Sequence, residues 1–185
     1  MDWLKLLLKQ KGIRWECGLK EIEIAELEKL YNIEFSDDWK EIYSKMLPVG
    51  LGFYNWRDKS ESNVAYIKEI MQQPYLDVLE NYNEIQWNSD WGDMPNSDDE
   101  KFLKIKLLLK NAPKLIPIYG HRYLPAIKKA PVISVHNIDI IYYGENLIDY
   151  FFIEFGLKNW KNIDFNNINN INNINNINFW MDDLY

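Results

Sequence analysis

The hydrophobic periodicity of this chain changes from helical to strand-like just after Pro113, and that change limits the folds available to it. Before this point, apolar side chains recur at spacings of three and four residues, as in amphipathic helices. After it come three β-branched and aromatic runs of strand length: Leu115–Tyr119, Val132–His136 and Ile138–Tyr143. Because the strands follow the helices and do not alternate with them, the sequence predicts an α+β fold with a largely antiparallel sheet.

Capping residues place several helix boundaries. Ser36, followed by two aspartates, is a good N-cap. The helix that begins after Ser36 is expected to end at Pro48. One apolar stripe follows Ser36 at helical spacing: Trp39, Ile42, Tyr43 and Met46. Other helices are predicted at Trp3–Gln10, Leu19–Tyr31, Asp98–Leu109 and after the N-cap Asn146.

The middle of the chain carries weaker signals. A helix capped by Ser62 is expected to stop before Pro74, because proline has no backbone N–H for a helical hydrogen bond. Beyond it, Ile85–Trp87 is a candidate strand.

We expect a single domain over residues 1–185, with residues 1–18 as a helical lead-in. Near the end, residues 166–178 repeat the triplet Asn-Asn-Ile. An isoleucine at every third position drifts by roughly 60° per step around a helix, and Asn is a poor helix former. The tract is therefore predicted to be a connecting loop, with a short helix or solenoid-like turn as the alternative.

Composition excludes several functional classes. With 21 basic and 28 acidic side chains, the net charge of −7 argues against binding nucleic acid by bulk charge. No apolar run approaches the roughly 18–20 residues of a membrane helix, and the N-terminus lacks the features of a signal peptide. A lone Cys17 allows neither an intramolecular disulfide nor a cysteine-cluster metal site. We expect a cytoplasmic protein with no membrane, metal or cofactor.

The two histidines are the main candidates for catalysis. His121 precedes Arg122 at the end of a predicted strand, while His136 and Asp139 flank a predicted turn. If the fold brings them together, they suit acid–base chemistry on an anionic substrate, and a hydrolase is the resulting hypothesis. The structural alternative is that His121 and Arg122 fix a loop by hydrogen bonds.

Charge is strongly segregated in the middle of the chain. Residues 69–100 contain no Lys or Arg, whereas residues 101–129 contain eight basic residues and no acid. The acidic segment, as we call residues 69–100, has nine acids: Glu69, Asp77, Glu80, Glu84, Asp90, Asp93, Asp98, Asp99 and Glu100. Aromatic residues among acids suit a binder of a basic protein, and the candidate contact residues are Tyr82, Glu84, Trp87, Asp90, Trp91 and Asp93.

Two other interpretations of the acidic segment remain open. Its acids are a solvated surface over an aromatic core, or they pair with the basic run inside the fold. That run is mostly lysine on one predicted helix, which indicates exposed helix surface: Lys101, Lys104, Lys106 and Lys110.

Five strings together resemble the SUKH superfamily, the Smi/Knr-type group, and its bacterial branch most closely. They are LPVGLGFYNWRD (47–58), WNSDWGDMP (87–95), KLIPIYGHRYLP (114–125), PVISVHNIDIIYYGENLIDYFFIEF (131–155) and INFWMDDLY (177–185). The resemblance covers the chain from about Leu19 onward. It departs from the family pattern at Tyr75–Gln86 and in the Asn-Asn-Ile tract.

The resemblance implies N-terminal helices packed on a mainly antiparallel sheet, with further helices at the C-terminus. It also implies an immunity protein without a catalytic centre, which neutralises a cognate toxin, often a nuclease, by binding it. A regulatory or scaffold module of the Smi/Knr type is the alternative. Matching residues are fold-forming types first, and five have a candidate second role: Trp56, Arg57, His121, Arg122 and Asp139.

Overall fold

The structure, a computed structural model, describes residues 2–50, 52–164, 166–168 and 178–181. Seven helices with defined bounds and two antiparallel sheets lie within these ranges, beside a short helical stretch at 166–168, and this confirms the α+β class. The helices are α1 Asp2–Gln10, α2 Glu21–Tyr31, α3 Asp37–Tyr43, α4 Glu61–Glu80, α5 Asp98–Asn111, α6 Leu147–Glu154 and α7 Asn178–Met181. The strands are β1 Arg14–Cys17, β2 Met46–Val49, β3 Leu115–Tyr119, β4 Arg122–Pro125, β5 Val132–His136 and β6 Asp139–Gly144.

The larger sheet is a four-stranded meander in the order β3-β4-β5-β6. Tight turns join β3 to β4 and β5 to β6, and each of these two uses a residue with positive φ: Gly120 (φ 51°) in the first and Asn137 (φ 55°) in the second. Gly and Asn adopt this left-handed conformation at the lowest steric cost. His136 and Asp139 pair across the second turn, as the sequence predicts.

Both faces of this sheet are covered. On one face, Ile116, Leu124 and Val132 pack with the helices α1, α2, α3 and α6 in one core cluster. On the other, Tyr123 and Ile133 pack with residues of α4, α5 and α7 in a second cluster. Double coverage explains why β3 is a continuous apolar run and why the first four residues of β5, Ser134 included, are all buried.

Local signals placed most elements correctly. The hydroxyl of Ser36 accepts a hydrogen bond from the Trp39 N–H at the start of α3, and the side chain of Asn146 caps α6 in the same way. The strands β3 and β5 have the predicted bounds, and β6 differs by one residue at each end.

The helix that begins after Ser36 is shorter than predicted. It ends at Tyr43, and Met46 and Pro48 belong to β2, which pairs with β1 in a two-stranded sheet. Pro48 lies opposite Trp15. A proline is tolerated there because a two-stranded sheet has an outer edge that needs no N–H donor.

The prediction that a helix stops before Pro74 is wrong. The cap of α4 is Ser60 and not the predicted Ser62, which lies inside the helix: the Ser60 hydroxyl accepts a hydrogen bond from the Asn63 N–H. The helix then continues through Pro74 to Glu80. The carbonyl that proline leaves unpaired belongs to Ile70, and a tertiary contact from Tyr123 supplies its hydrogen bond.

Three further predictions concern strands and the Asn-Asn-Ile tract. Ile85–Trp87 is turn and irregular backbone, and buried Ile85 serves the core without strand pairing. Strands β1 and β4 were not predicted, because four residues are too few to show a clear alternation of apolar and polar side chains. Residues 166–168 are helical, while residues 169–177, which hold the rest of the tract's isoleucines, lie outside the described residues.

Within the described part of the chain, no helix combines the length and apolar character that a bilayer crossing requires.

Candidate functional site

The acidic segment runs from the second half of α4, through a loop with a 3₁₀ turn at Ser89–Trp91, into the first turn of α5. Its carboxylates are exposed, except that Asp77 is half-buried. Ser97 caps α5, so the three acids that follow it lie at the positive end of that helix dipole. This placement stabilises the helix and leaves the charges accessible.

None of the nine acids forms an ion pair with a basic side chain among the described residues. The alternative in which the acidic and basic halves pair inside the fold therefore finds no support in these ranges. Asp77 accepts a hydrogen bond from Gln73 Nε2 at 2.7 Å. The segment presents a concentration of negative charge that no basic side chain of the described residues neutralises by pairing.

Trp91, expected to contact a partner, is a core residue. It is 6% exposed, and its ring stacks on Phe179 with 5.6 Å between centroids. The ring of Trp87 packs edge-on against the Trp91 ring, with 5.3 Å between their centroids. A large apolar side chain that another helix can cover is buried in preference to being left in water. Trp91 thus attaches the acidic loop to α7 and is not itself a surface anchor.

Three other apolar side chains of the loop between α4 and α5 remain accessible. Tyr82 is half-buried and packs edge-on against Phe102 at 5.2 Å. Trp87 is half-buried, and its indole N–H donates to the Gly92 carbonyl at 2.9 Å. Met94 is 60% exposed. Together with Glu84, Asp90 and Asp93, all exposed, these are the residues that can touch a partner.

Lys101 is a structural residue of this site that the sequence did not single out. It lies on α5 with only 7% of its surface exposed, and its ammonium donates to the carbonyls of Asn83 (3.1 Å) and Ile85 (3.0 Å). The expectation that this lysine is exposed helix surface is wrong. The one sequence feature that could have indicated this role is the position of Lys101 at the junction between the acidic and basic runs.

Trp56 and Arg57 stabilise the N-terminal half. Trp56 is fully buried, with edge-on contacts to the rings of Phe35 and Trp39. Arg57 donates to Glu16 (3.0 Å), Glu23 (2.9 Å) and the carbonyls of Cys17 (3.0 Å) and Gly18 (2.9 Å). Its hydrogen bond lowers the pKa of Glu23 below the ordinary value. The guanidinium thus joins the loop after β2 to β1 and α2.

The fold brings the two histidines together. Both are exposed, at adjacent turns of the large sheet, and their ring centroids lie 6.1 Å apart. Partial burial, the charge of Arg122 and the neighbouring His136 lower the pKa of His121. Asp139 is exposed next to them, but no hydrogen bond or ion pair joins it to either imidazole in the described contacts.

Arg122 has structural contacts, as the alternative interpretation of this residue expects, and they reach beyond its own loop. Its guanidinium lies 3.9 Å from the centre of the Tyr143 ring and donates to the Ser134 hydroxyl at 2.9 Å. Its Nε lies 3.6 Å from a carboxylate oxygen of Glu154. These contacts tie β4 to β5, β6 and α6, so Arg122 has a structural role beside its electrostatic effect on His121.

No cluster of three or more potential metal ligands occurs among the His, Cys, Asp and Glu residues that the structure describes. Comparisons of the chain with family models, curated proteins and solved structures give no match.

Proposed function

We propose that this protein is a non-enzymatic immunity protein that covers a basic toxin domain with its acidic segment. The observation that carries the proposal is the exposed charge of that segment, which forms no ion pair within the described ranges. Such a surface steers a basic partner into contact and raises the association rate well above that of a neutral surface. The resemblance to the bacterial SUKH branch supports the choice of a toxin as the partner.

The accessible aromatic and thioether side chains supply the apolar contacts that charge alone does not provide. Stable interfaces bury roughly 800 Å² on each partner, and a few large side chains give most of the binding energy. Trp87 and Tyr82 are suitable anchors because each ring is already held by a neighbour and loses little freedom on binding. Met94 offers an adaptable contact beside Asp93.

Preorganisation of the loop also supports the proposal. Lys101 holds the backbone at Asn83 and Ile85, and the side chain of Asn88 accepts a hydrogen bond from the Asp90 N–H at 2.9 Å. A loop that is fixed before binding spends less conformational entropy on forming the complex.

Gene neighbourhood separates this proposal from the regulatory alternative. A toxin gene beside this one favours immunity, whereas a neighbourhood of housekeeping genes favours a scaffold or regulatory module. Coexpression with the adjacent toxin domain then tests neutralisation directly, by survival of the host cell.

Charge reversal tests the electrostatic mechanism. The double variant Asp90→Lys with Asp93→Lys should slow association with that toxin domain about tenfold at low salt and flatten the salt dependence of the rate, both measured by stopped-flow fluorescence. The matched control reverses two exposed acids outside the segment, Glu21→Lys with Glu34→Lys, and should change the rate much less. Equal effects of the two pairs, or no effect of either, would contradict the proposal.

A further inference from the structure

A groove of about 580 Å³ lies between α2, α4, α5 and β3. This volume is within the range of about 300–1,000 Å³ that small-molecule sites occupy. Its deepest residues are buried and apolar: Met71, Leu109 and Leu115. Leu30 and Leu79, both half-buried, extend the same apolar surface towards solvent.

Four exposed lysines surround this apolar surface: Lys68, Lys106, Lys110 and Lys114. None of them forms an ion pair with a carboxylate among the described residues, and no Asp or Glu of those ranges lines the groove. The ammonium of Lys114 donates to the Asn32 carbonyl. The groove is therefore a positive site on a chain whose net charge is −7.

Helical spacing produces this combination of charge and apolar surface. On α5, Lys106, Leu109 and Lys110 are three and four residues apart, so they share one face. On α4, Lys68 and Met71 share a face in the same way. Packing of these two faces against α2 and β3 places apolar side chains at the bottom and flexible lysine stems at the edge.

We propose that this groove binds a single-chain anionic amphiphile, a long-chain carboxylate, with the hydrocarbon tail on the apolar surface and the head group among the lysines. Aliphatic side chains dominate the apolar part, which suits a flexible alkyl chain better than a planar ring system. Lysine ammonium groups are flexible point charges, which can follow a carboxylate without the fixed geometry of an arginine fork.

Tyr31 adds one uncharged donor to the wall. It is 6% exposed, and its hydroxyl has no hydrogen-bond partner among the described residues. Burial, and secondarily the charge of Asp58, raise the pKa of Tyr31 to about 12, so the hydroxyl keeps its proton at neutral pH. Tyr31 therefore adds no charge to the groove, and the lysines remain its charged lining residues.

The first experiment titrates the full chain with laurate, octanoate and butyrate below their micellar concentrations, using isothermal calorimetry. Each further CH₂ group that enters the groove should tighten binding about three- to fourfold until the groove is full. Dodecyltrimethylammonium has a tail one CH₂ group longer than that of laurate and the opposite charge, and it should still bind at least tenfold more weakly. Equal binding of the two amphiphiles, or no binding of laurate, would overturn the proposal.

Variants locate the binding. Lys106→Gln with Lys110→Gln should weaken laurate binding about three- to tenfold and reduce its salt dependence. The control Lys9→Gln with Lys11→Gln removes two exposed charges that do not line the groove, and it should leave the affinity unchanged. Ala112→Trp, which fills the groove from its half-buried wall, should abolish binding while the circular dichroism spectrum stays native.

Two further outcomes separate this proposal from its rivals. If a synthetic acidic amphipathic helix binds the groove more tightly than laurate and displaces it, the site is a peptide groove and the carboxylate proposal is wrong. The variant Asp90→Lys with Asp93→Lys should leave laurate binding unchanged, because neither acid lines the groove. Failure of the immunity proposal would therefore not affect this one.

Discussion

The hydroxyl of Tyr123 on β4 donates a hydrogen bond to the backbone carbonyl of Ile70 on α4, 3.2 Å away. In a regular helix the N–H four residues later would supply that bond, but the residue there is Pro74. A side chain from the sheet thus completes the hydrogen bonding of a helix that its own sequence interrupts.

This relationship predicts a coupling between Tyr123 and Pro74. Tyr123→Phe should lower the free energy of unfolding by about 1–2 kcal/mol, because it leaves the Ile70 carbonyl without a donor. With Pro74→Ala present, the backbone N–H of residue 74 can take over that bond. The Tyr123→Phe cost should then fall by at least half in a double-mutant cycle measured by urea unfolding. Additive effects of the two substitutions would contradict this account.

Lys101 should be important for stability although it is a charged residue on a surface helix. Lys101→Met removes both hydrogen bonds to the backbone at Asn83 and Ile85, and we expect a loss of about 2–4 kcal/mol in chemical denaturation. Lys104→Met, on the same helix and without such contacts in the described residues, should change the stability by less than about 0.5 kcal/mol. Similar costs for both variants would show that charge, and not the buried contacts, is responsible.

The geometry of Arg57 predicts that lysine cannot replace it. Lysine keeps the charge but lacks the planar fork that reaches two carboxylates and two carbonyls at once. Because these groups are partly exposed, we expect Arg57→Lys to lower the free energy of unfolding by only about 1–2 kcal/mol, measured by urea unfolding. The control Lys59→Met removes a single exposed pair with Glu26 and should cost less than about 1 kcal/mol.

The same contact makes stability depend on pH. The pKa of Glu23 is lower in the folded protein than its ordinary value of 4.5, chiefly because of the Arg57 hydrogen bond. The stabilisation is therefore complete above that ordinary value and is lost as the pH falls through the native pKa. Arg57→Met should make the acid loss of stability shallower, measured by urea unfolding between about pH 3 and pH 6.

The histidine pair gives a spectroscopic prediction. Because His136 contributes to the lowered pKa of His121, His136→Gln should raise that pKa in an NMR titration of the imidazole protons. It should not restore the ordinary value of 6.5, since burial is the larger cause and Arg122 remains. An unchanged pKa would contradict the proximity of the two rings.

The double variant His121→Ala with His136→Ala tests the hydrolase hypothesis. Under the immunity proposal it should keep full protection against the toxin, and a loss of protection with native folding would favour catalysis by this pair.

How far the sequence predicts the site depends on whether the signal is local. The negative charge of residues 69–100 is visible in the composition, and the exposure of Asp90 and Asp93 agrees with it. The burial of Trp91 is not visible in the local sequence, because it depends on Phe179, which lies almost ninety residues away in the chain. Lys101 and the lysine-lined groove likewise depend on which helices pack together.

By itself, the sequence determined those features that neighbouring residues control. Ser36 and Asn146 begin helices because their side chains accept hydrogen bonds from N–H groups three residues later, and the apolar runs at 115–119 and 132–136 form strands. The tertiary structure decided the passage of α4 through Pro74, the pairing of β1 with β2 and the role of each aromatic residue in the acidic segment. The physical reason is that these features depend on partners distant in the chain. A backbone group without a local hydrogen bond, an unpaired strand edge and an exposed apolar ring each need such a partner, and only the folded structure determines which one lies beside them.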